Sequence, residues 1–219
     1  GAPRLVMLET IREYGWELLI QMGELEAARR AHATYYMSLA EQAEPQLTGI
    51  DQKAWLRRLG GEQDNLRAAL EWSQERDIEA CLRLASSLWR FWDIRGYWDE
   101  AIGWLTGALS ATEGHKTVHR ARALSRAAHV LNNRSRDKLA EAYAREACEL
   151  GTELGDQPSM ARGLFILGSL EVEHYRGQSG TDLLNRSLAL ALEIGDHGLA
   201  ASALLNLAWQ LRDRDLAAS

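Results

Sequence analysis

The sequence predicts an all-α protein made of antiparallel helical hairpins stacked into a right-handed superhelix, and three observations predict it. Ala, Leu, Glu and Arg dominate the 219 residues, Pro occurs only three times, and no β-branched run reaches strand length. That composition favours helix throughout. The stretch Glu153-Leu154-Gly155-Asp156 recurs as Glu193-Ile194-Gly195-Asp196, an offset of 40 (193 minus 153). The same offset relates Ala123-Leu124, Gly163-Leu164 and Ala203-Leu204, and again Ala127-Ala128, Leu167-Gly168 and Leu207-Ala208. A fixed period of this size with helical periodicity inside it marks stacked helix pairs. Small residues at recurring positions let one helix approach its partner closely.

Taken in order, the pattern predicts helices at 5–22, 24–44, 52–58, 62–76, 78–95, 98–112, 117–132, 137–154, 158–175, 181–194 and 198–212. Pro45 and Gly49 punctuate the loop after the second helix. Gly96 closes the fifth, and a helix start is expected after Gly114. Gly155 and Gly195 read as helix stops followed by a polar turn residue, and Pro158 suits a first-turn position. Ser135 stands where the corresponding turn glycine belongs and Gly177 comes two residues late, so irregular turns are expected there. We divide the chain into an N-terminal helical region, 1–76, and repeats at about 77–115, 116–156, 157–196 and 197–219. Ala101, Ala108, Ala128, Gly168 and Ala208 are expected at tight helix–helix contacts.

The stretch Gly96-Tyr97-Trp98-Asp99-Glu100-Ala101-Ile102, running through Trp104-Leu105 to Ala108-Leu109, resembles the second half of a tetratricopeptide repeat. Leu88-Trp89 and Trp92 supply the packing positions of its first helix. Residues 4–110 resemble the segment following the nucleotide-binding module of bacterial STAND-type, NB-ARC-like regulators. The stretches that carry this are Met7-Leu8-Glu9-Thr10-Ile11-Arg12-Glu13-Tyr14, His32 through Tyr35-Tyr36 to Leu39-Ala40-Glu41, and Trp55-Leu56 with Glu62 and Asp64 through Leu70. The resemblance implies that 1–76 holds the end of a winged-helix region plus linker helices, with the nucleotide-binding domain upstream. Met7-Leu8-Glu9 occupies the place of that family's Met-His-Asp sensor, and Leu8 cannot donate the imidazole's hydrogen bond. No Gly-rich phosphate loop ending in Lys-Ser or Lys-Thr occurs. Gly1-Ala2-Pro3 reads as foreign to the domain, and the chain is expected to begin inside a longer polypeptide.

Composition narrows the function classes. The balance of 31 acidic and 25 basic residues, net −6, is opposite in sign to a bulk-electrostatic nucleic-acid binder, so no direct nucleic-acid contact is expected. No apolar stretch is long enough to span a bilayer and no signal-peptide core is present, so no membrane association is expected and a cytoplasmic location is. Cys81 and Cys148 fall inside helical patterns and read as small core hydrophobes. His115 and His119 have an i, i+4 spacing that suits a metal, but no Cys or carboxylate cluster completes a site. No nucleophile–base grouping is visible. Neither an enzyme nor a cofactor is expected. Trp89, Trp92, Trp98 and Trp104 fall on helix-packing positions.

The charge distribution points to a binding surface. From Lys116 to Arg136 there are six Lys or Arg and no acid. Within that run, Arg122, Ser125, Arg126, His129 and Asn133 have the spacing of a groove-facing surface. Neighbouring units place Arg83, Ser86, Arg90 and Asp93, then Arg162, Phe165, Ser169 and Glu173, on the same surface. Trp209 falls there too, or packs on a following repeat. Five arginines lining one concavity would suit carboxylates or phosphates, hence an acidic peptide, a protein partner or a small acidic effector. The competing reading pairs them with acids on adjacent helices such as Glu141 and Glu171. Three functions remain in view: an effector-sensing interaction arm of a larger regulator, a constitutive scaffold that assembles homo-oligomers, and a helical-toroid enzyme.

Overall fold

A computed structural model describes residues 8–175 and 178–218, with side chains described except at 9, 12, 174, 175 and 211–218. The expectations at Gly1-Ala2-Pro3, Met7 and Gly177 lie outside that set. Among the described residues there are eleven helices and no strand. They are α1 (Glu9–Met22), α2 (Leu25–Gln46), α3 (Gln52–Gly61), α4 (Gln63–Arg76), α5 (Ile78–Arg95), α6 (Trp98–Ala111), α7 (Val118–Asn132), α8 (Asp137–Leu154), α9 (Gln157–Tyr175), α10 (Gln178–Glu193) and α11 (His197–Ala218). The expected all-α class holds. Pro45 does not end α2 before itself: it lies in the last turn, and the helix runs on to Gln46.

The packing gives two layers. Each even-numbered helix from α6 to α10 packs on the helices before and after it, forming the outer layer. In the inner layer α2 packs on α5, α5 on α7, α7 on α9 and α9 on α11. One cluster of buried side chains runs without a break from Ala33 in α2 to Leu150 in α8, and a second, from Ala128 to Ala203, continues it. Trp89 and Trp92 are buried, and Trp98 and Trp104 pack half-buried against the first cluster.

Small residues sit where the helices approach most closely. Ala101, Ala108 and Ala128 are fully buried. A Cβ added to Gly168 would lie 3.0 Å from the backbone nitrogen of Leu184 and 3.1 Å from the Gly180 carbonyl oxygen, which fixes the α9–α10 spacing. Ala208 differs from the expectation. It is exposed, because the side of α11 that corresponds to the α10-facing side of α9 carries no helix among the described residues.

The helix ends explain the turns. At Gly96, φ is 73° and the amides of Gly96 and Tyr97 return to the carbonyls of Asp93 and Trp92. Ser135 makes the same turn rather than an irregular one. Its φ is 53°, and Ser135 and Arg136 donate to Asn132 and Leu131, each at 3.0 Å.

Candidate functional site

The inner face converges on Trp89 of α5. Its indole N–H donates to Glu44 Oε1 on α2 at 3.0 Å. Arg126 of α7 donates to the same oxygen, so one carboxylate of α2 is held from both α5 and α7. Arg162 of α9 stacks over the Trp89 ring at 4.6 Å, Arg90 lies 5.4 Å from that ring, and the His129 ring meets it edge-on at 5.3 Å. Side chains from four helices therefore enclose one indole, which is buried. Its electron-rich face attracts both guanidiniums.

Four of the five predicted groove arginines carry carboxylate partners. Arg83 pairs with Glu41 at 2.7 Å, Arg122 with Asp156 at 2.8 Å, Arg126 with Glu44 and Arg162 with Asp196 at 3.1 Å. None of them uses Glu141 or Glu171; Glu141 pairs within α8 with Arg145. Asp156 and Asp196 sit one repeat apart, and each also receives a backbone N–H from the first turn of the helix it opens, Ser159 and Leu199 respectively. Each arginine thus ties one unit to the helix start of the next. Asp156 loses solvation on burial, which alone would raise its pKa, but hydrogen bonds from Arg122 and Ser159 overcome this and hold it below the usual value. The counterpart of these aspartates at the start of α7 is Thr117, so Arg83 reaches back to α2 instead.

Arg90 is the exception: it has no ion pair among the described residues. Burial brings Arg162 down to about 10, with Asp196 opposing the shift and Arg126 and Arg90 adding to it. Burial likewise brings His129 down to about 3, reinforced by Arg162 and Arg90, so its imidazole is neutral at physiological pH. Asp93 accepts from the Asn133 amide at 3.4 Å, and that amide lies 3.2 Å from His129 Nε2. The remaining predicted residues are partly consumed by the helices. Ser125 donates to the Arg122 carbonyl and Ser169 to that of Phe165; Phe165 is buried, and Glu173 is exposed. Trp209 is 65% exposed on α11.

Sequence reasoning missed Trp89 as the centre of this face, Glu44 as its acceptor, and the aspartate partners. The partners were detectable: Arg122 and Arg162 repeat at the same offset of 40 as Asp156 and Asp196. Elsewhere, a cleft of about 260 Å³ is lined by Arg30, Met37, Trp72, Asp77, Arg83 and His119. His119 is half-buried there rather than fully solvated, whereas His115 is exposed. Among the described residues no group of three or more His, Cys, Asp or Glu could hold a metal. Burial pushes the thiols of Cys81 and Cys148 up to about 12 and about 11; Cys81 lies in the core as expected, whereas Cys148 is only half-buried. No described helix is long and apolar enough to cross a membrane.

These features define a class: a two-layer stack of helical hairpins whose inner face is lined with paired arginines. No protein-family model matches the chain. It is 33% identical over 177 residues to a protein of Mycobacterium bovis named "Putative HTH-type transcriptional regulator", and equally to proteins of that name from two strains of Mycobacterium tuberculosis. The match covers 77% of this chain and 20% of each relative, so the chain spans about one fifth of their length. Among solved structures, the crystal structure of BtubC (BKLC) from P. vanneervenii matches 88% of this chain and 93% of its own, at 18% identity and a TM-score of 0.44.

Proposed function

We propose that this chain is a non-catalytic, tetratricopeptide-like sensing region of a larger cytoplasmic STAND-type transcriptional regulator, and that its inner face receives an acidic partner or effector. The name of the mycobacterial relatives supports a regulator. The observation that carries binding is the convergence of α2, α5, α7 and α9 on the Trp89 cluster, where Arg90 keeps a guanidinium without a carboxylate. Occupancy there bears on four helices at once. It would shift the stack relative to an upstream nucleotide-binding domain by favouring one of two arrangements.

A labelled Glu-rich peptide, followed by anisotropy at rising salt and by hydrogen exchange, tests this reading. Saturable binding that weakens with salt, with protection in α5, α7 and α9, is expected. Absence of binding at any salt, or protection confined to α6, α8 and α10, would refute it.

A second reading, a homo-oligomerising scaffold, is favoured by one observation. Leu204, Leu205 and Trp209 form an exposed apolar stripe on α11. Sedimentation across a concentration series separates the two readings, because only the scaffold requires self-association.

A further inference from the structure

The inner face holds three buried polar atoms with no hydrogen-bond partner: Arg90 Nε, His129 Nδ1 and Ser86 Oγ. Ser86 and Arg90 lie one turn apart on α5, and Arg90 and His129 both flank the Trp89 indole. Their chemistry is alike. Arg90 Nε–H can only donate. The protonation of His129 follows from its neighbours. The Asp93 carboxylate accepts from Asn133, which orients the Asn133 amide with its NH2 towards the imidazole. His129 Nε2 must then accept, so in the neutral ring the proton is on Nδ1. Nδ1–H is thus a second donor without an acceptor, and the Ser86 hydroxyl supplies a third.

The electrostatics agree. Two guanidiniums, Arg90 and Arg162, meet at the indole and a third, Arg126, shares its acceptor Glu44, while two carboxylates, Glu44 and Asp196, pair with Arg126 and Arg162. Asp93 is turned to Asn133 and makes no ion pair with Arg90. Arg90 also approaches the first turn of α11, its Nη2 lying 3.8 Å from where a Cβ on Gly198 would be. The Asp196 carboxylate lies 3.5 Å from the same point but is paired with Arg162 rather than with Arg90. Buried donors left unfilled are costly, and a single anionic acceptor would satisfy them together.

We propose that Arg90 and His129 form a carboxylate-binding site on the inner face, their Nε–H and Nδ1–H donating to one carboxylate above a floor made by Ser86. This rests on the inner-face reading given above and names the group that face recognises. Arg90 and His129 are half-buried as residues, but Arg90 Nε, His129 Nδ1 and Ser86 are buried, so a carboxylate entering from the inner face reaches the two donors by turning those side chains outward. The carboxylate belongs either to a small organic acid or to an acidic side chain of a peptide.

The test follows the side-chain N–H signals of the 15N-labelled chain by NMR during titration with succinate, and separately with the Glu-rich peptide. A saturable downfield shift of Arg90 Nε–H and His129 Nδ1–H is expected. Arg90→Gln, Arg90→Lys and His129→Phe should each weaken binding at least about tenfold, the usual scale for one charge-assisted hydrogen bond. Arg67→Gln, on the outer surface, should leave it unchanged. Circular dichroism checks that each variant is folded. Arg90→Lys guards against loss of fold, since it keeps the charge and removes the Nε–H. A response to succinate alone assigns a small acid, and one to the peptide assigns a peptide side chain. No saturable shift with either probe overturns the site, and so does equal competition by inorganic phosphate, which would show that charge alone is read. Should the peptide bind Arg90→Gln as it binds the unaltered chain, with α5, α7 and α9 still protected, this site falls while the inner-face reading stands.

Discussion

Ser135 adopts the left-handed conformation that glycine adopts at the ends of α1, α5, α8 and α10. A residue with a Cβ is strained there by roughly 1–2 kcal/mol, partly offset by the smaller chain entropy it loses on folding. Ser135→Gly should therefore raise stability by roughly 0.5–1 kcal/mol, seen as a higher thermal midpoint; a lower midpoint would mean that the turn is not strained. Two other glycines should respond in opposite ways to the same substitution. A Cβ at Gly103, mid-helix in α6, would meet nothing within 4 Å, whereas one at Gly163 would lie 2.9 Å from the Ala144 carbonyl oxygen and 2.6 Å from Cys148 Sγ. Gly103→Ala should stabilise by about 0.5–1 kcal/mol through helix propensity. Gly163→Ala should destabilise by about 1–3 kcal/mol, because α8 and α9 must move apart. Urea denaturation of the pair decides whether the close approach exists.

At the scale of elements, buried charge joins one helix to the next. Arg120, at the start of α7, is buried and donates to Glu146 on α8, to the Leu109 carbonyl near the end of α6, and to Thr112. One guanidinium thereby satisfies an α6 helix end and links three helices. Arg120→Met should cost about 3–5 kcal/mol, since it strands the partners of a buried charge; a loss below about 1 kcal/mol would show that water replaces it. Stability against pH follows from two shifts. His129 has a folded pKa of about 3, below its ordinary 6.5, so the fold favours the neutral ring. Its contribution is complete above pH 6.5 and is lost as pH falls from there towards 3, because the unfolded chain takes up the proton first. The slope is at most about 1.4 kcal/mol per pH unit, and partial exposure of the ring reduces it. Asp156, held below 3.8, contributes above that value, and its contribution is lost as pH falls through its folded pKa. Chemical denaturation at stepped pH should show His129→Phe flattening the decline between 6.5 and 3, with the loss from Asp156 adding only below 3.8.

Over the whole molecule, the inner face is held closed by contacts that skip a helix. Glu44 on α2 and Arg126 on α7 lie 82 residues apart in sequence and meet across α5, with the Trp89 N–H sharing the carboxylate. Both charged side chains are largely buried. A double-mutant cycle with Glu44→Gln and Arg126→Gln should give a coupling of about 1–3 kcal/mol in denaturation; additivity would mean that the pair does not hold α2 to α7. The far end of the stack presents the opposite case. Leu204, Leu205 and Trp209 are exposed on α11, whereas Leu164 and Phe165, one repeat earlier, are buried under the next helices. Leu205→Glu should abolish any concentration-dependent association seen by sedimentation without lowering the melting midpoint.

The sequence by itself determined the helices, their order and most of their ends, because periodicity, glycine stops and helix propensity are local and leave a mark at each position. It also determined which small residues lie at close approaches wherever a neighbouring helix follows, as at Ala101, Ala108 and Gly168; at Ala208 that condition fails. The tertiary structure alone decided how the arginines are used. Groove-facing spacing was legible, but whether a guanidinium stays unpaired depends on the curvature of the stack, which brings α2, α7 and α9 onto one indole of α5. The shared offset of 40 marks Asp156 and Asp196 as candidate partners of Arg122 and Arg162, but pairing across 34 to 82 residues leaves no local pattern that shows which groups meet. Four arginines therefore became internal ties, and Arg90 kept its donors, for a reason fixed by three-dimensional distance and not by any run of the chain.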